Sequence, residues 1–564
     1  MMPSRKILYP WLLWIALILQ GLVFISTTAI WEGFDEPFHY AYIQYLAETG
    51  ALPVYGKSLL SRELTRSFEQ APLSIPFNTI LASRYTTFAS YWQLSDEERA
   101  ARARALRQIN KEDRAVADTK AFITNYEVHQ APLYYLISVP VYRMCSTLDL
   151  PTRVFCLRLF SLLIGSSTLL AAYAAARRAL PGLRGPHTVA FVVALMPMVA
   201  GTIARISNDA LAVPLGGLAA FLIIDYFARV PKPGRAIQIG IVLGLGLLSK
   251  AYFLAILAAA VAVFVLAAFR SVDKKRLLSH LALLLGLAVA ISGWWYARNH
   301  MQYGNLSGLQ EVTLTANMSI SDRIAMAGKV PWLMSWRSMF KQHIWLGNMS
   351  LMELSRGTYN IAYFLVLIAI VGLGIRGTNA IQCAWKRRDG TSYAGAGPAA
   401  ACTQDQSFII SFLLYSFFLL AAAYHMWQNF ILVQMPGGTG GYYLYAVIVP
   451  ELLLLMYGFQ ALPWKAGRIA QGAAILYVVL VNFVAYFCKM IPSYGGISIP
   501  RFHLSHLFEI YSPFTLQLML NRISLQQASW LGPAAIFVIM VCHFGWMIFV
   551  TWQFFSPGMS AEMS

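Results

Sequence analysis

Acidic side chains are scarce here: 25 Asp and Glu stand against 43 Lys and Arg in 564 residues, and charged residues make up only 12% of the chain. A soluble globular domain carries about twice that share of charge, and with hydrophobic residues at 58% the composition excludes one. Cysteine is also sparse. The six, at positions 145, 156, 383, 402, 488 and 542, form no CxxC pair and no metal-ligand spacing, which leaves them as inert thiols. No internal repeat is found, so the repeated halves common in secondary transporters are missing. The first apolar run, about Ile7 to Ile30, has no convincing small-x-small cleavage site and is too long for a signal-peptide core, so it reads as a retained transmembrane helix.

What is present is a series of apolar runs long enough to span a bilayer, which makes this an all-α, polytopic integral membrane protein. The net charge of +18 is confined largely to short links between those runs. Arg5 and Lys6, Arg177, Arg178 and Arg184, Arg229, Lys232 and Arg235, Arg270 to Arg276, Arg376 to Arg388, and Lys465 and Arg468 form a positive-inside pattern that places these links and both termini in the cytoplasm. Nucleic acid is not needed to explain the charge. Counting on that basis gives about twelve spans, near 7–30, 157–176, 187–205, 209–228, 235–250, 252–269, 277–297, 358–375, 407–426, 442–460, 469–489 and 530–553. Residues 132–143, PLYYLISVPVYR, are too short and too broken by Pro140 to cross, and are expected as an interfacial or re-entrant helix.

The first external loop, about Trp31 to Pro151, is far longer than ordinary connections, and loops of that size tend to carry function. It opens with WEGFDEPFHYAYIQYLAETG. Asp35 can cap a helix there, Pro37 falls in its first turn, Phe38, Tyr42, Tyr45 and Leu46 form an aromatic stripe suited to a bilayer surface, and Gly50 ends it. Asp35 and Glu36 have a structural reading, as a cap and a dipole partner, beside the chemical one. Further along, SDEE at 95–98 reads as a capping box opening a charged helix.

External links should be poor in cations, yet Arg205, Lys250 and Arg298 all stand at outer ends of spans. They are candidates for holding an anion, with snorkelling to lipid headgroups as the alternative. Glu451, inside the tenth span, is either functional or satisfied by a polar partner within the bundle. The glycine-rich QMPGGTGG at 434–441 can offer amides to a phosphate or simply turn. His503, His506 and Glu509 share helical spacing, for which metal binding is conceivable but interfacial histidines suffice.

The topology brings Asp35, Glu36, Glu127, His129, Arg205, Asp209, Lys250 and Arg298 to one membrane face. Carboxylates beside phosphate-binding cations at a lipid interface suggest transfer of a group from a lipid-linked phosphate. DEPFHYAYIQYLAETG, which contains His39, then EVHQAPLYYL, ISNDALA, LLSKAYFLA and WWYARNHMQYGN follow one another in the order of the motifs of the type-C membrane glycosyltransferases. The chain resembles especially the branch similar to protein O-mannosyltransferases and the lipid A aminoarabinose transferase, over roughly residues 1 to 310.

That resemblance implies an acceptor-positioning or deprotonating role for Asp35, with Glu36 beside it; an acid and a histidine-proline element at Glu127, His129 and Pro132; a second acid at Asp209; and a lysine facing the donor phosphate at Lys250. His39 and His129 would lie on the acceptor side of the loop, and Arg205 and Arg298 would join Lys250 on the phosphate. Relatives often carry Gly-Arg-Tyr before a late span; here Gly441-Tyr442-Tyr443 stands instead, so the other cations must compensate or the donor differs.

The function implied is glycosyl transfer from a polyprenyl-phosphate-linked monosaccharide to a lipid, glycan or protein acceptor at the outer face of the plasma membrane. Residues 1–310 would form the catalytic module and 311–564 a second transmembrane module. No metal is required, although Asp35 with Asp209 could recruit Mg2+ or Mn2+. The competing readings are a transporter or flippase of lipid-linked sugars and a non-catalytic membrane scaffold.

Overall fold

The computed structural model describes residues 5–388, 398–434, 438–497 and 506–556. It is helical throughout, and the only β-pairing among the described residues is three isolated bridges in the first loop. Ten helices are long and apolar enough to cross a membrane, or eleven if the bent pair Arg184–Leu195 and Pro197–Ile203, which turns by 61°, counts as one span. Pro197 ends the first member of that pair because it supplies no N–H to the turn before it. The remaining expected span is the helix Pro233–Leu247, apolar but short for a crossing. The chain is therefore a multi-pass membrane protein. The helix Leu133–Met144 is not among the spanning segments, as its length and Pro140 led one to expect.

The first and last spans lie side by side. The Tyr9 hydroxyl donates to the Val550 carbonyl at 3.0 Å, and Trp546 Nε1 to the Leu12 carbonyl at 2.9 Å. The helices Arg356–Arg388 and Ile448–Ala461 cross with backbones almost touching. A Cβ on Gly372 would overlap the Gly458 carbonyl, and one on Gly458 the Ala369 carbonyl, so only glycine permits the crossing.

The long first loop folds over the ends of the spans. Ser95 and Glu98 form the expected reciprocal capping box at the start of helix Asp96–Arg107. The helix Glu36–Thr49 departs from the surface-lying helix its stripe suggested, because the rest of the loop closes over its outer side. Every residue from Glu36 to Gln44 is buried, and Tyr42 stacks on Tyr135 of helix Leu133–Met144 with centroids 3.9 Å apart.

Two buried ion pairs lock the loop to helix Leu150–Gly165. Arg158 grips Glu36 with Nε to Oε1 at 2.8 Å and Nη2 to Oε2 at 2.6 Å, while Arg153 pairs with Glu63. A third acid, Glu32, joins distant parts of the chain. It accepts from Ser74 N at 3.1 Å, from the Tyr494 hydroxyl at 3.0 Å and from the Ser350 hydroxyl at 2.5 Å.

Candidate functional site

Three interruptions of regular helix meet below the start of helix Glu36–Thr49: the link 204–208, the turn 248–252, and the 3-10 segment Gly441–Val447. Asn208 ties the first two to the loop, its amide donating to Gln130 Oε1 and to the Ser249 carbonyl, each at 3.0 Å.

Asp209 opens the helix Asp209–Phe227 and is 1% exposed. Its Oδ1 accepts from Lys250 Nζ at 2.6 Å and Tyr252 Oη at 3.2 Å; its Oδ2 accepts from Arg205 Nη2 at 3.1 Å and Ser207 Oγ at 3.2 Å. Both oxygens are thus engaged, and Asp209 serves as counter-ion to two cations rather than as a free base. One carboxylate for two cations leaves a surplus of positive charge.

Arg205 is equally buried, and its Nε and Nη1 have no hydrogen-bond partner among the described residues. Unsatisfied donors on a buried guanidinium are costly, and an anion in the plane of the group would satisfy them. Its face is covered by Tyr442, whose ring centroid lies 4.2 Å from Cζ. Tyr442 in turn stacks on Phe34, and Tyr443 lies 4.8 Å from Lys250 Nζ. Gly33 lets the loop approach this closely: a Cβ there would come within 3.1 Å of Arg205 Cβ.

Asp35 stands beside this cluster, half-buried, at the N-cap position with φ of 57°, an uncommon left-handed conformation for a residue with a Cβ. It makes no side-chain cap bond; its carboxylate turns away from the helix and accepts from the Tyr126 hydroxyl. Its second oxygen remains for another donor. Glu127 is 6% exposed, and its Oε2 accepts no hydrogen bond from the described residues, with His39 Nδ1 3.9 Å away. Burial and the nearby Asp35 charge hold the Glu127 carboxyl well above the usual carboxylate range. His39 bonds the Tyr135 hydroxyl at 2.8 Å; burial and the Lys250 charge push its imidazole below the usual range. The ring of His129 bonds the Tyr126 carbonyl.

A cavity of about 290 Å3 adjoins these groups. It is lined by Tyr126, Glu127, His129, Lys250 and Tyr443 and by Leu254, Ala255, Phe418, Ala421 and Ala422 from helices Phe253–Arg270 and Pro398–Val433, the second of which also contributes His425 and Gln428. A cation beside apolar side chains suits an amphiphile.

The structure brings Asp35, Glu127, His39, His129, Arg205, Asp209 and Lys250 together, but not the other two expected residues. Both oxygens of Glu36 are taken by Arg158, with the amides of Ile206 and Gly33 adding to them, so Glu36 belongs to the framework. Arg298 donates to the Pro53 carbonyl at 3.0 Å and lies over Trp295 at 4.9 Å, holding the loop rather than joining Lys250.

A divalent cation bridging Asp35 and Asp209 would have to displace the positive charges of Lys250 and Arg205 from Asp209. His503, in the other candidate metal group, lies outside the described residues, as do residues 435–437 of the glycine-rich turn. Glu451 has its polar partner, His343, at 2.8 Å. Tyr126, Phe34 and Tyr442 escaped the sequence reading. The departure at Gly441-Tyr442-Tyr443 was the one signal that pointed to any of them.

Residues 18–396 match the family described as predicted membrane protein (DUF2142), and the chain belongs to that family. No curated protein matches it. Among solved structures it is similar to ArnT from Cupriavidus metallidurans bound to undecaprenyl phosphate, at 12% identity and a TM-score of 0.43, covering 96% of this chain and 76% of that one. It is also similar to the Archaeoglobus fulgidus oligosaccharyltransferase in the apo form, at 12% identity and a TM-score of 0.46, covering 94% of this chain and 62% of that one. The likeness is too distant to bear on chemistry, which rests on the side chains above.

Proposed function

We propose that this chain is a glycosyltransferase that moves a monosaccharide from a polyprenyl-phosphate-linked donor to an acceptor at the outer face of the plasma membrane. The observation that carries the reading is the cation pair on Asp209: Arg205, a buried guanidinium with two donors unpartnered among the described residues, and Lys250, which lines a cavity with apolar side chains from helices Phe253–Arg270 and Pro398–Val433. A phosphodiester satisfies the donors and a prenyl chain lies against the apolar side chains. The basic links between spans support a cytoplasmic placing of those links and hence an outer site.

In this reading the acceptor hydroxyl donates to the free oxygen of Asp35, while Tyr126 fixes the carboxylate. As the acceptor oxygen bonds to the anomeric carbon, the bond from that carbon to the phosphate oxygen breaks. Asp35 receives the proton, and the electron pair leaves on the phosphate, where Arg205 and Lys250 stabilise it. The transition state is oxocarbenium-like, and the rings of Phe34 and Tyr442 stand between the two charge centres.

The test is transfer of radiolabelled sugar from a panel of polyprenyl-phosphate sugars by purified, reconstituted protein. Transfer that vanishes in Asp35→Asn supports the reading. No transfer from any donor, with movement of lipid-linked sugar across the bilayer instead, would replace it with the transporter.

A further inference from the structure

Gly441–Val447 carries the two tyrosines that cover Arg205 and Lys250; its far end packs on helix Asp209–Phe227, where a Cβ on Gly216 would overlap the Ala446 carbonyl, and its start is clamped by helix Trp332–Ile344. A Cβ on Gly441 would overlap the Met339 carbonyl, so the two backbones are in contact. Gly441 N donates to Gln342 Oε1 at 3.2 Å, the Tyr445 hydroxyl donates to the His343 carbonyl, and His343 Nδ1 lies 3.3 Å from the Gly441 carbonyl. The other ring nitrogen, Nε2, meets Glu451 Oε1 at 2.8 Å.

The geometry points to His343 and Glu451 as a positioning pair that holds Tyr442 and Tyr443 over the donor-binding cations through a proton shared between them. This rests on the reading of Arg205 and Lys250 as the donor-phosphate site. A carbonyl can only accept, so Nδ1 must carry a proton to bond Gly441; a second proton must lie between Nε2 and the carboxylate. With both present, the pair is neutral overall and the clamp is closed. When one proton is lost, the carboxylate draws the remaining one to Nε2. The Nδ1 lone pair then faces the Gly441 carbonyl and the hold on the tyrosine segment is released.

The groups facing the pair are few: Tyr445, whose ring centroid is 4.7 Å from that of His343, and, farther off, Tyr415 beside Glu451. Burial opposes a charge on His343, but the charge and hydrogen bond of Glu451, together with the bond to the Gly441 carbonyl, raise the imidazole pKa. The clamp therefore opens on the alkaline side.

The experiment compares Glu451→Leu and Glu451→Gln with wild type for donor KM and kcat between about pH 6 and 9, alongside nitrogen NMR of the His343 ring, assigned with His343→Gln. In wild type donor KM rises about tenfold from neutral to alkaline pH with kcat nearly unchanged, the equivalent of one lost hydrogen bond. Both variants abolish that rise, because neither leaves a carboxylate to draw the proton to Nε2: the glutamine amide donates to Nε2, and beside leucine the Gly441 carbonyl is the acceptor left for the ring. The NMR shows Nδ1 protonated at neutral pH, and the proton moved to Nε2 at the alkaline end in wild type but in neither variant. An Nδ1 without a proton at neutral pH, a wild-type KM flat across the range, or an alkaline rise that survives in either variant overturns the pair. Absence of turnover with every donor sinks the proposed function, while the ring nitrogens still decide the state of the clamp.

Discussion

Asp209 holds Lys250 at 2.6 Å on the oxygen opposite the one that faces Arg205, so that a single buried carboxylate spaces two cations. Asp209→Asn removes that charge and leaves two cations repelling each other in a buried site. Thermal unfolding in detergent should show a clear drop in midpoint, and added undecaprenyl phosphate should recover part of it by supplying the missing negative charge. An unchanged midpoint would mean the cations find other partners.

The neighbouring acids Asp35 and Glu36 should separate cleanly. Asp35→Asn should cost roughly 10²- to 10⁴-fold in kcat, the range expected for loss of a positioned base, with little change in unfolding midpoint. Glu36→Gln leaves Arg158 buried without its charge partner and should cost about 3–5 kcal/mol of stability. Parallel turnover and unfolding measurements on the two variants check both.

Replacing Arg205 by Lys keeps the charge and loses the fork. Donor KM should rise by about tenfold or more, because the planar donors that Arg205 leaves unpartnered cannot be reproduced by an ammonium group. Steady-state kinetics at fixed acceptor would show it.

The apolar wall can be probed by size. Ala421→Phe narrows the cavity next to Phe418, so it should raise KM for a long-chain polyprenyl donor while leaving a donor with a much shorter chain nearly unaffected. Equal effects on both would place the chain elsewhere.

Glu32 predicts a pH dependence of stability. Burial pushes its carboxyl up to about 7 against the hydrogen bonds from Ser350, Tyr494 and Ser74. A folded pKa raised above the unfolded value means that the folded state binds the extra proton between about pH 4.5 and 7, so stability falls as pH rises through that window. The loss amounts to roughly 3 kcal/mol and is complete above it. Unfolding midpoints measured across the window should fall in wild type and flatten in Glu32→Gln.

The sequence made much of this legible because the relevant residues break a rule locally. Arg205 and Lys250 are cations where cations are rare, and Asp209 and Asp35 sit where a span begins or ends. Glu36 fell outside the site because adjacency in sequence says nothing of direction: Asp35 turns left-handed before the helix begins, and only the fold reveals that one faces Tyr126 and the other Arg158. Arg298, like Lys250, is a cation at the outer end of an expected span, and only packing against Pro53 and Trp295 distinguishes it. The tyrosines over the cations were hidden for a different reason. A ring covering a charge some two hundred residues away leaves no periodicity, so 442 and 443 read as a missing arginine. The short helix Pro233–Leu247 counted as a span because hydropathy sees composition before length.

The buried pairs also bear on how the chain enters the membrane. Arg153 and Arg158 lie on the helix Leu150–Gly165, and their carboxylates, Glu63 and Glu36, belong to the loop translated before it. Each arginine therefore reaches the bilayer edge with its counter-charge already synthesised, and the cost of placing two guanidinium groups there is met by a segment that has emerged first. Deleting the loop would leave both guanidinium groups of that helix without their counter-charges.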